Sequence, residues 1–99
     1  MAEAEDLSRQ RLDKWLWHVR LQPTRSKAAV FIRDGFARIN AVRATDPAKT
    51  VRPGDVLPLA LADRTLVVRV LRILPRRVGA PLAAEAYEPL PQTVTKGDL

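Results

Sequence analysis

A proline separates two short amphipathic segments near the start of the chain, and this break constrains the fold most. In the first segment, apolar residues recur at helical spacing, at Leu12, Trp15, Leu16 and Val19. Pro23 ends this helix, because it has no backbone N–H and it biases Gln22 to an extended conformation. The sequence therefore predicts a first helix from Ser8 or Arg11 to Arg20, and a second helix after the proline.

The second helix is predicted from Thr24 to Asp34. Thr24 is a favourable N-cap residue, and Gly35 follows the helix where a left-handed conformation suits glycine. The apolar stripe of this helix consists of Ala28, Phe31 and Ile32. Its small residues, Ala28 and Ala29, predict a close approach to the first helix.

Residues 36–40 alternate between apolar and polar positions, which predicts a strand. The residues expected to face the core are Ala37 and Ile39, and those expected to face solvent are Phe36 and Arg38. Asn40-Ala41 then predicts a hairpin turn. A type I′ turn needs a positive φ at both central residues, so we expect Ala41 to cost about 1 kcal/mol in that conformation.

A second turn signal, Arg52-Pro53-Gly54-Asp55, precedes two further apolar segments. Residues 56–61 and 65–74 predict a hairpin that closes at residues 62–64. The apolar residues change sides of the second strand near Leu71, which predicts a bulge or twist there. One helical turn that packs on the sheet is expected at residues 82–87.

These elements predict an α+β fold in which two N-terminal helices pack on a small, mostly antiparallel sheet. A chain of 99 residues is one domain by its length. We expect residues 1–7 to be a flexible arm, residues 8–75 the domain, and residues 76–99 a short, irregular, Pro-rich extension. The tail from Gln92 is expected to be mobile.

The charge of the chain is strongly basic and uneven. The formal net charge is +6, and residues 7–45 carry nine basic residues against two acidic ones. An ordinary solvated face mixes both signs more evenly. This imbalance predicts a polyanionic partner such as nucleic acid.

The chain contains no cysteine, so disulfides and thiolate metal sites are excluded. The first residues, MAEAEDLS, have neither the basic nor the apolar region of a signal peptide. No apolar run approaches the roughly 18–20 residues that span a membrane. We therefore expect a cytoplasmic protein that does not contact a membrane.

The second helix begins with two cations, Arg25 and Lys27, where the partial charge of the helix dipole is already positive. No acidic residue in that first turn compensates them. A phosphate bound by the backbone N–H groups, the Ser26 hydroxyl and Arg25 would explain the arrangement. The alternative is a plain N-cap with incidental basic neighbours.

No catalytic constellation accompanies this basic segment. His18 is the only histidine, and Asp13 and Asp34 are expected to cap helices or to pair with arginines. Trp15 lies on the core stripe, whereas Trp17 and Phe36 remain open between stacking on a base and packing within the fold. The sequence thus predicts no enzyme activity, no metal and no cofactor.

The motif from residue 11 to residue 57 resembles the RNA-binding domain named after ribosomal small-subunit protein four, the S-four domain. The resemblance rests on RLDKWLW, the segment TRSKA, Gly35, Asn40 and the closing motif VRPGDV. It implies the alpha-L motif, in which two helices on a small sheet grip structured RNA. The matching motif positions are Arg11, Lys14, Arg20, Thr24, Arg25, Ser26, Lys27 and Asn40.

Within that family the chain is most similar to the ribosome-associated heat-shock protein fifteen subgroup. That similarity implies binding to the large ribosomal subunit and rescue of subunits that carry a stalled nascent chain on transfer RNA. Two departures are Ala41 in place of the usual glycine, and a C-terminal tail that is short and nearly neutral.

The hypothesis from sequence is therefore a monomeric, non-enzymatic protein that binds structured ribosomal RNA. Its RNA-binding residues are predicted to be Arg11, Lys14, Arg20, Thr24, Arg25, Ser26, Lys27, Arg38 and Asn40. Two alternatives remain open: a DNA-binding protein of the winged-helix type, and a module that binds a protein partner through an apolar patch around Trp17 and Phe36.

Overall fold

The computed structural model describes residues 7–91 and the backbone of residues 94–95. The helices in this part of the chain are α1 (Leu12–His18), α2 (Arg25–Arg33) and α3 (Ala80–Ala84). The strands are β1 (Gln10–Arg11), β2 (Ala37–Ile39), β3 (Val42–Ala44), β4 (Thr50–Val51), β5 (Val56–Ala60), β6 (Arg64–Val70), β7 (Tyr87–Pro89) and β8 (Val94–Thr95). Both predicted N-terminal helices are confirmed, and α1 is shorter than predicted. The predicted arm, residues 1–7, lies outside the described residues except for Leu7, and the predicted mobile tail from Gln92 lies outside them except for the backbone of residues 94–95.

The main sheet is antiparallel, with strand order β3-β2-β5-β6-β7 and with β8 also paired to β6. A two-stranded antiparallel pair, β1 with β4, lies beside α1. The inner face of the main sheet and the apolar stripes of α1 and α2 form one core, which includes Trp15, Leu16, Ile32, Leu57, Leu59 and Val68. The predicted α+β fold is confirmed. None of the described helices is long and apolar enough to cross a bilayer.

Both long helices end in the same capping motif. In α1, Arg20 takes a positive φ of 64°, and the Leu21 N–H donates to the Leu16 carbonyl at 3.0 Å. In α2, Gly35 has a φ of 84°, and the Phe36 N–H donates to the Phe31 carbonyl at 3.3 Å. This is the Schellman arrangement, which satisfies carbonyl groups at a helix C-terminus. The prediction for Gly35 is confirmed.

The prediction that Ala41 takes a strained, positive φ in the β2–β3 turn is wrong. Among the described residues, the positive φ in this turn, 53°, belongs to Asn40, and Ala41 has none. A type I′ turn needs a positive φ at both positions, so this turn is of another type. Asparagine tolerates the left-handed region better than most residues, and Ala41 therefore carries no such penalty.

The Asn40 side chain ties this turn to the following one. Its Oδ1 accepts a hydrogen bond from the Val56 N–H at 2.9 Å, and its Nδ2 donates to Asp55 Oδ1 at 3.2 Å. Asp55 in turn closes the predicted turn, because its N–H donates to the Arg52 carbonyl at 3.0 Å. Gly54 takes the positive φ of 98° that this turn requires. The spacing of Asn40 and the VRPGDV motif thus has a structural cause.

The last long strand confirms the predicted irregularity at Leu71. β6 ends at Val70, earlier than predicted, and the N–H groups of Leu71 and Arg72 both donate to the Ala86 carbonyl, at 2.8 and 3.1 Å. Two residues opposite one is the pattern of a β-bulge. The predicted helical turn overlaps α3, whereas β7 was not predicted because its YEP segment has little strand character.

A strap of residues 72–78 crosses α1 and fixes its position. The Trp15 indole N–H donates to the Arg72 carbonyl at 2.9 Å, and Nδ1 of His18 donates to the Leu74 carbonyl at 2.9 Å. Arg77 Nη1 donates to the Trp17 carbonyl at 2.8 Å. The segment after the bulge is therefore joined to the first helix by polar contacts as well as by the core.

Replacing Asn40 with alanine should lower the free energy of unfolding by about 1–3 kcal/mol. The variant loses two hydrogen bonds and places alanine in the left-handed region. Chemical denaturation monitored by circular dichroism measures this loss. Ala41→Gly is the matched control, and we expect it not to stabilise the protein, since Ala41 has no positive φ to relieve.

Candidate nucleic-acid interface

A buried carboxylate, Asp13, organises the basic residues at the start of both helices. Its side chain is almost fully buried and accepts two hydrogen bonds from Arg11, from Nε at 3.1 Å and from Nη2 at 3.0 Å. It also accepts the backbone N–H of Lys14 at 2.7 Å. Arg25 of α2 approaches the same carboxylate, with Nε 3.7 Å from Oδ2. The predicted pairing of Asp13 with arginines is confirmed, and Asp13 partly balances Arg25 from outside α2.

The N-termini of the two helices differ in what their N–H groups bind. At α1, the Leu12 N–H donates to the Lys49 carbonyl at 2.8 Å, and the Asp13 N–H donates to the Pro47 carbonyl at 3.2 Å. At α2, Thr24 caps the helix, since its hydroxyl oxygen accepts the Lys27 N–H at 3.0 Å. Within residues 7–91, the N–H groups of Arg25 and Ser26 have no acceptor. Of these two N-termini, that of α2 is therefore the one with N–H groups left to bind an anion.

A concavity of about 420 Å³ opens beside this helix start. We call it the α2 concavity, and it is lined by Arg11, Asp13, Arg25, Ser26, Ala29, Val30 and Arg33. Arg33 was not among the predicted site residues. The signal for it was present, because residues 25, 29 and 33 lie on one face of a helix. Three arginines against one carboxylate leave this concavity positively charged.

The structure does not bring the other predicted residues into the α2 concavity. Thr24, Lys14 and Lys27 lie near the helix starts but do not line it. Arg20 lies at the far end of α1, where its Nη1 is 3.4 Å from the Val78 carbonyl. Arg38 faces solvent from β2, and the Asn40 amide is engaged by Val56 and Asp55. The nine predicted residues thus fall into separate groups, and their contact with RNA stays a prediction.

The charge of Arg11 is insensitive to pH. Its hydrogen bonds to Asp13, and then the charge of that carboxylate, raise the pKa of Arg11 above its ordinary value. Arginine is already protonated throughout the physiological range. The positive charge that Arg11 contributes to the concavity therefore does not titrate under such conditions.

The aromatic residues and His18 have mainly structural surroundings. Trp15 is fully buried in the core, as predicted, and the half-buried Trp17 ring lies 5.2 Å from the His18 ring between centroids. His18 is buried and bonded to the strap. In the described part of the chain, no group of three or more His, Cys, Asp or Glu is placed to hold a metal ion. Asp34 takes the C-cap position of α2, one of its two predicted roles, and forms no ion pair with an arginine within residues 7–91.

Comparison with known proteins places this arrangement in a family. The family model of the S4 domain, the S-four domain named above, matches residues 10–57. Heat shock protein 15 homolog from Aeromonas salmonicida is 39% identical over 85 residues, which cover 86% of this chain and 64% of that protein. Heat shock protein 15 from Escherichia coli K12 is 36% identical over 86 residues, 87% of this chain and 64% of that protein. The chain thus spans slightly less than two thirds of the length of these curated relatives.

A solved structure of heat shock protein 15 from Vibrio cholerae, described as trimeric, superposes with a TM-score of 0.79. It is 33% identical, and the match covers 85% of this chain and 84% of that one. The chain belongs to the S4 family, in its heat shock protein 15 group. The resemblance seen in residues 11–57 is therefore confirmed. The S4 match ends at residue 57, so the bulge, the strap and α3 lie beyond it.

Replacing Arg20 of this S4 domain with glycine should raise the free energy of unfolding by about 0.5–1 kcal/mol. Glycine adopts a positive φ without the steric cost that arginine carries there. Thermal unfolding measures the change, which for a domain of this size is a few degrees in Tm. Arg20→Ala is the control, because it removes the side chain but keeps the cost. If the glycine variant is no more stable than the alanine variant, the left-handed conformation of Arg20 is wrong.

Proposed function

We propose that this protein is a non-enzymatic RNA-binding protein that holds phosphate groups in the α2 concavity. The observation that carries the proposal is the pair of unbonded N–H groups at the start of α2, surrounded by Arg11, Arg25 and Arg33. Membership of the S4 family supports it. The positive end of the helix dipole adds to the attraction for phosphate.

The chemistry of the concavity suits a phosphate group. Arginine presents N–H donors in a planar fork that matches two phosphate oxygens. Asp13 holds Arg11 from one side and leaves the rest of its guanidinium half-exposed. Ser26 lines the same concavity with a hydroxyl that can donate to a third oxygen. Phosphate contacts of this kind position a nucleic acid without reading its sequence.

The proposed RNA is structured ribosomal RNA of the large subunit. Kinship with heat shock protein 15 supports this choice, together with a role in rescuing stalled subunits that still carry transfer RNA. We place this function in the cytoplasm, where ribosomes are found. Since the chain spans 64% of the first curated relatives, their whole activity is carried over only as part of this proposal.

We propose a monomer as the RNA-binding unit, because one chain supplies Arg11, Arg25, Ser26 and Arg33 of the concavity. The Vibrio cholerae relative is described as trimeric, so a trimer is the alternative assembly to test. Light scattering coupled to size exclusion, with and without RNA, distinguishes one chain per RNA from three.

Binding to a structured ribosomal RNA fragment should weaken steeply with salt. If about 4–6 phosphates are engaged, the logarithm of the association constant should fall against log salt with a slope of about −3 to −5. Fluorescence anisotropy at several salt concentrations measures this slope, with duplex DNA as competitor. Affinity that does not change with salt, or an equal preference for duplex DNA, would contradict the proposal.

The double variant Arg25→Ala/Lys27→Ala should bind RNA at least about tenfold more weakly, and its salt slope should be smaller by about 2. Its Tm should change little. Asp13 keeps its hydrogen bonds with Arg11, and the substitutions remove two cations that oppose the helix dipole at the start of α2. Anisotropy and thermal unfolding provide the two readouts.

The matched control is Arg69→Ala/Arg72→Ala, which removes the same charge from exposed pairs with Glu88 and Glu85. Such pairs contribute little to stability. We expect this control to retain most of the affinity. Equal losses in the two double variants would show that net charge, and not the α2 concavity, governs binding.

A further inference from the structure

Two arginines lie directly opposite each other on the outer face of the sheet. Arg38 of β2 and Arg43 of β3 are partners in the antiparallel register. Like charges in directly opposed positions destabilise a strand pair. Within the described residues neither arginine forms an ion pair, although Asp34 lies close by. This arrangement lowers the stability of the hairpin unless an anion binds between the arginines.

An exposed aromatic ring stands beside this arginine pair. Phe36 is 48% exposed, and it is fixed by the Schellman motif that ends α2 and by its ring contact with Phe31, 5.8 Å between centroids. RNA binding therefore loses little conformational entropy in ordering the Phe36 ring, because these contacts already hold it in the free protein. An aromatic side chain held at the surface next to cations is a typical stacking platform for an RNA base.

The ring and the two arginines line one cavity of about 420 Å³ on the outer face of the sheet. Pro58, Ala60 and Thr65 of the neighbouring strands also line it and present small side chains on that face. Arg43 crosses the glycine that ends α2, since a Cβ built at Gly35 would lie 3.4 Å from Arg43 Cδ. The Arg43 side chain thus packs directly over the backbone of Gly35.

We propose that this cavity binds one unpaired RNA base, stacked on Phe36, with the adjacent phosphates held by Arg38 and Arg43. The proposal rests on the RNA-binding function proposed above and extends it from phosphate contacts to a single-stranded nucleotide. Arg43 was not among the predicted RNA-binding residues, and the sequence left Phe36 open between stacking on a base and packing within the fold.

The cavity is continuous along the chain with the α2 concavity. Arg33 lines the concavity, and Asp34 and Gly35, the next two residues, line the cavity. α2 has nine residues and is about 13 Å long, a distance that one RNA strand can span. An RNA strand whose phosphates bind at the start of α2 can therefore place a base on Phe36 if that base is unpaired and turned out of the RNA duplex.

The test uses two RNA hairpins with the same stem, one fully paired and one with a single bulged 2-aminopurine. The wild-type protein should bind the bulged hairpin about 5- to 150-fold more tightly, the range that one stacked base supplies. The fluorescence of the bulged base should fall on binding. Phe36→Ala should lose both the preference and the quenching, whereas Phe36→Trp should retain them.

Two further variants keep the test decisive. Phe36→Leu preserves an apolar contact with Phe31 but removes the stacking face, so it should behave as Phe36→Ala even if the alanine variant is poorly folded. Leu82→Ala is the matched control, since Leu82 is a comparably exposed apolar residue on α3 at the opposite edge of the sheet. We expect it to bind both hairpins as the wild type does.

The outcomes separate this inference from the proposed function. If the wild type binds both hairpins equally and with a steep salt dependence, or if Phe36→Leu keeps the preference, the base-binding cavity is wrong and phosphate binding stands. If the wild type binds neither hairpin, the proposed function itself is overturned.

Discussion

The arrangement of the basic surface depends on one buried carboxylate. Asp13 is 3% exposed, and a buried charge without partners is costly. Its partners here are the guanidinium of Arg11, in a two-point hydrogen bond, and the N–H of Lys14. Arg25 shares the same oxygen from the neighbouring helix. Because the Asp13 carboxylate contacts both arginines, it reduces the repulsion between them. The two helices therefore present Arg11 and Arg25 on a single surface.

This carboxylate also explains how α2 tolerates cations at its N-terminus. Arg25 and Lys27 oppose the helix dipole, and α2 has no acidic residue in its first turn. Asp13 supplies the missing negative charge only in part, because Arg11 already occupies it with shorter bonds. The remaining positive charge and the unbonded N–H groups are what a phosphate would satisfy. By contrast, the carbonyls of Lys49 and Pro47 satisfy the start of α1, which is why the two helix starts are not equivalent.

The parts of the fold that local pattern decides could be predicted from the sequence. The stripes of α1 and α2, the glycine after α2 and the bulge at Leu71 follow from periodicity and from the conformational freedom of glycine. What could not be predicted involves residues distant in sequence. The strap contacts α1 across more than 50 residues. By contrast, the opposition of Arg38 and Arg43 follows from the predicted two-residue turn at Asn40-Ala41, although the conformation of that turn was predicted wrongly. The contacts of the Asn40 side chain with the neighbouring turn were not predicted either, because a motif position does not reveal what its side chain touches.

The start of α2, together with Arg11 and Arg33, is the surface that we propose binds RNA. A titration of ¹⁵N-labelled protein with a structured ribosomal RNA fragment tests it most directly, since it reports on each backbone N–H separately. We expect the largest shifts at Arg25 and Ser26, with little change at Leu12, whose N–H is already bonded to Lys49. Shifts concentrated on α3 and β7, with none at the start of α2, would contradict it.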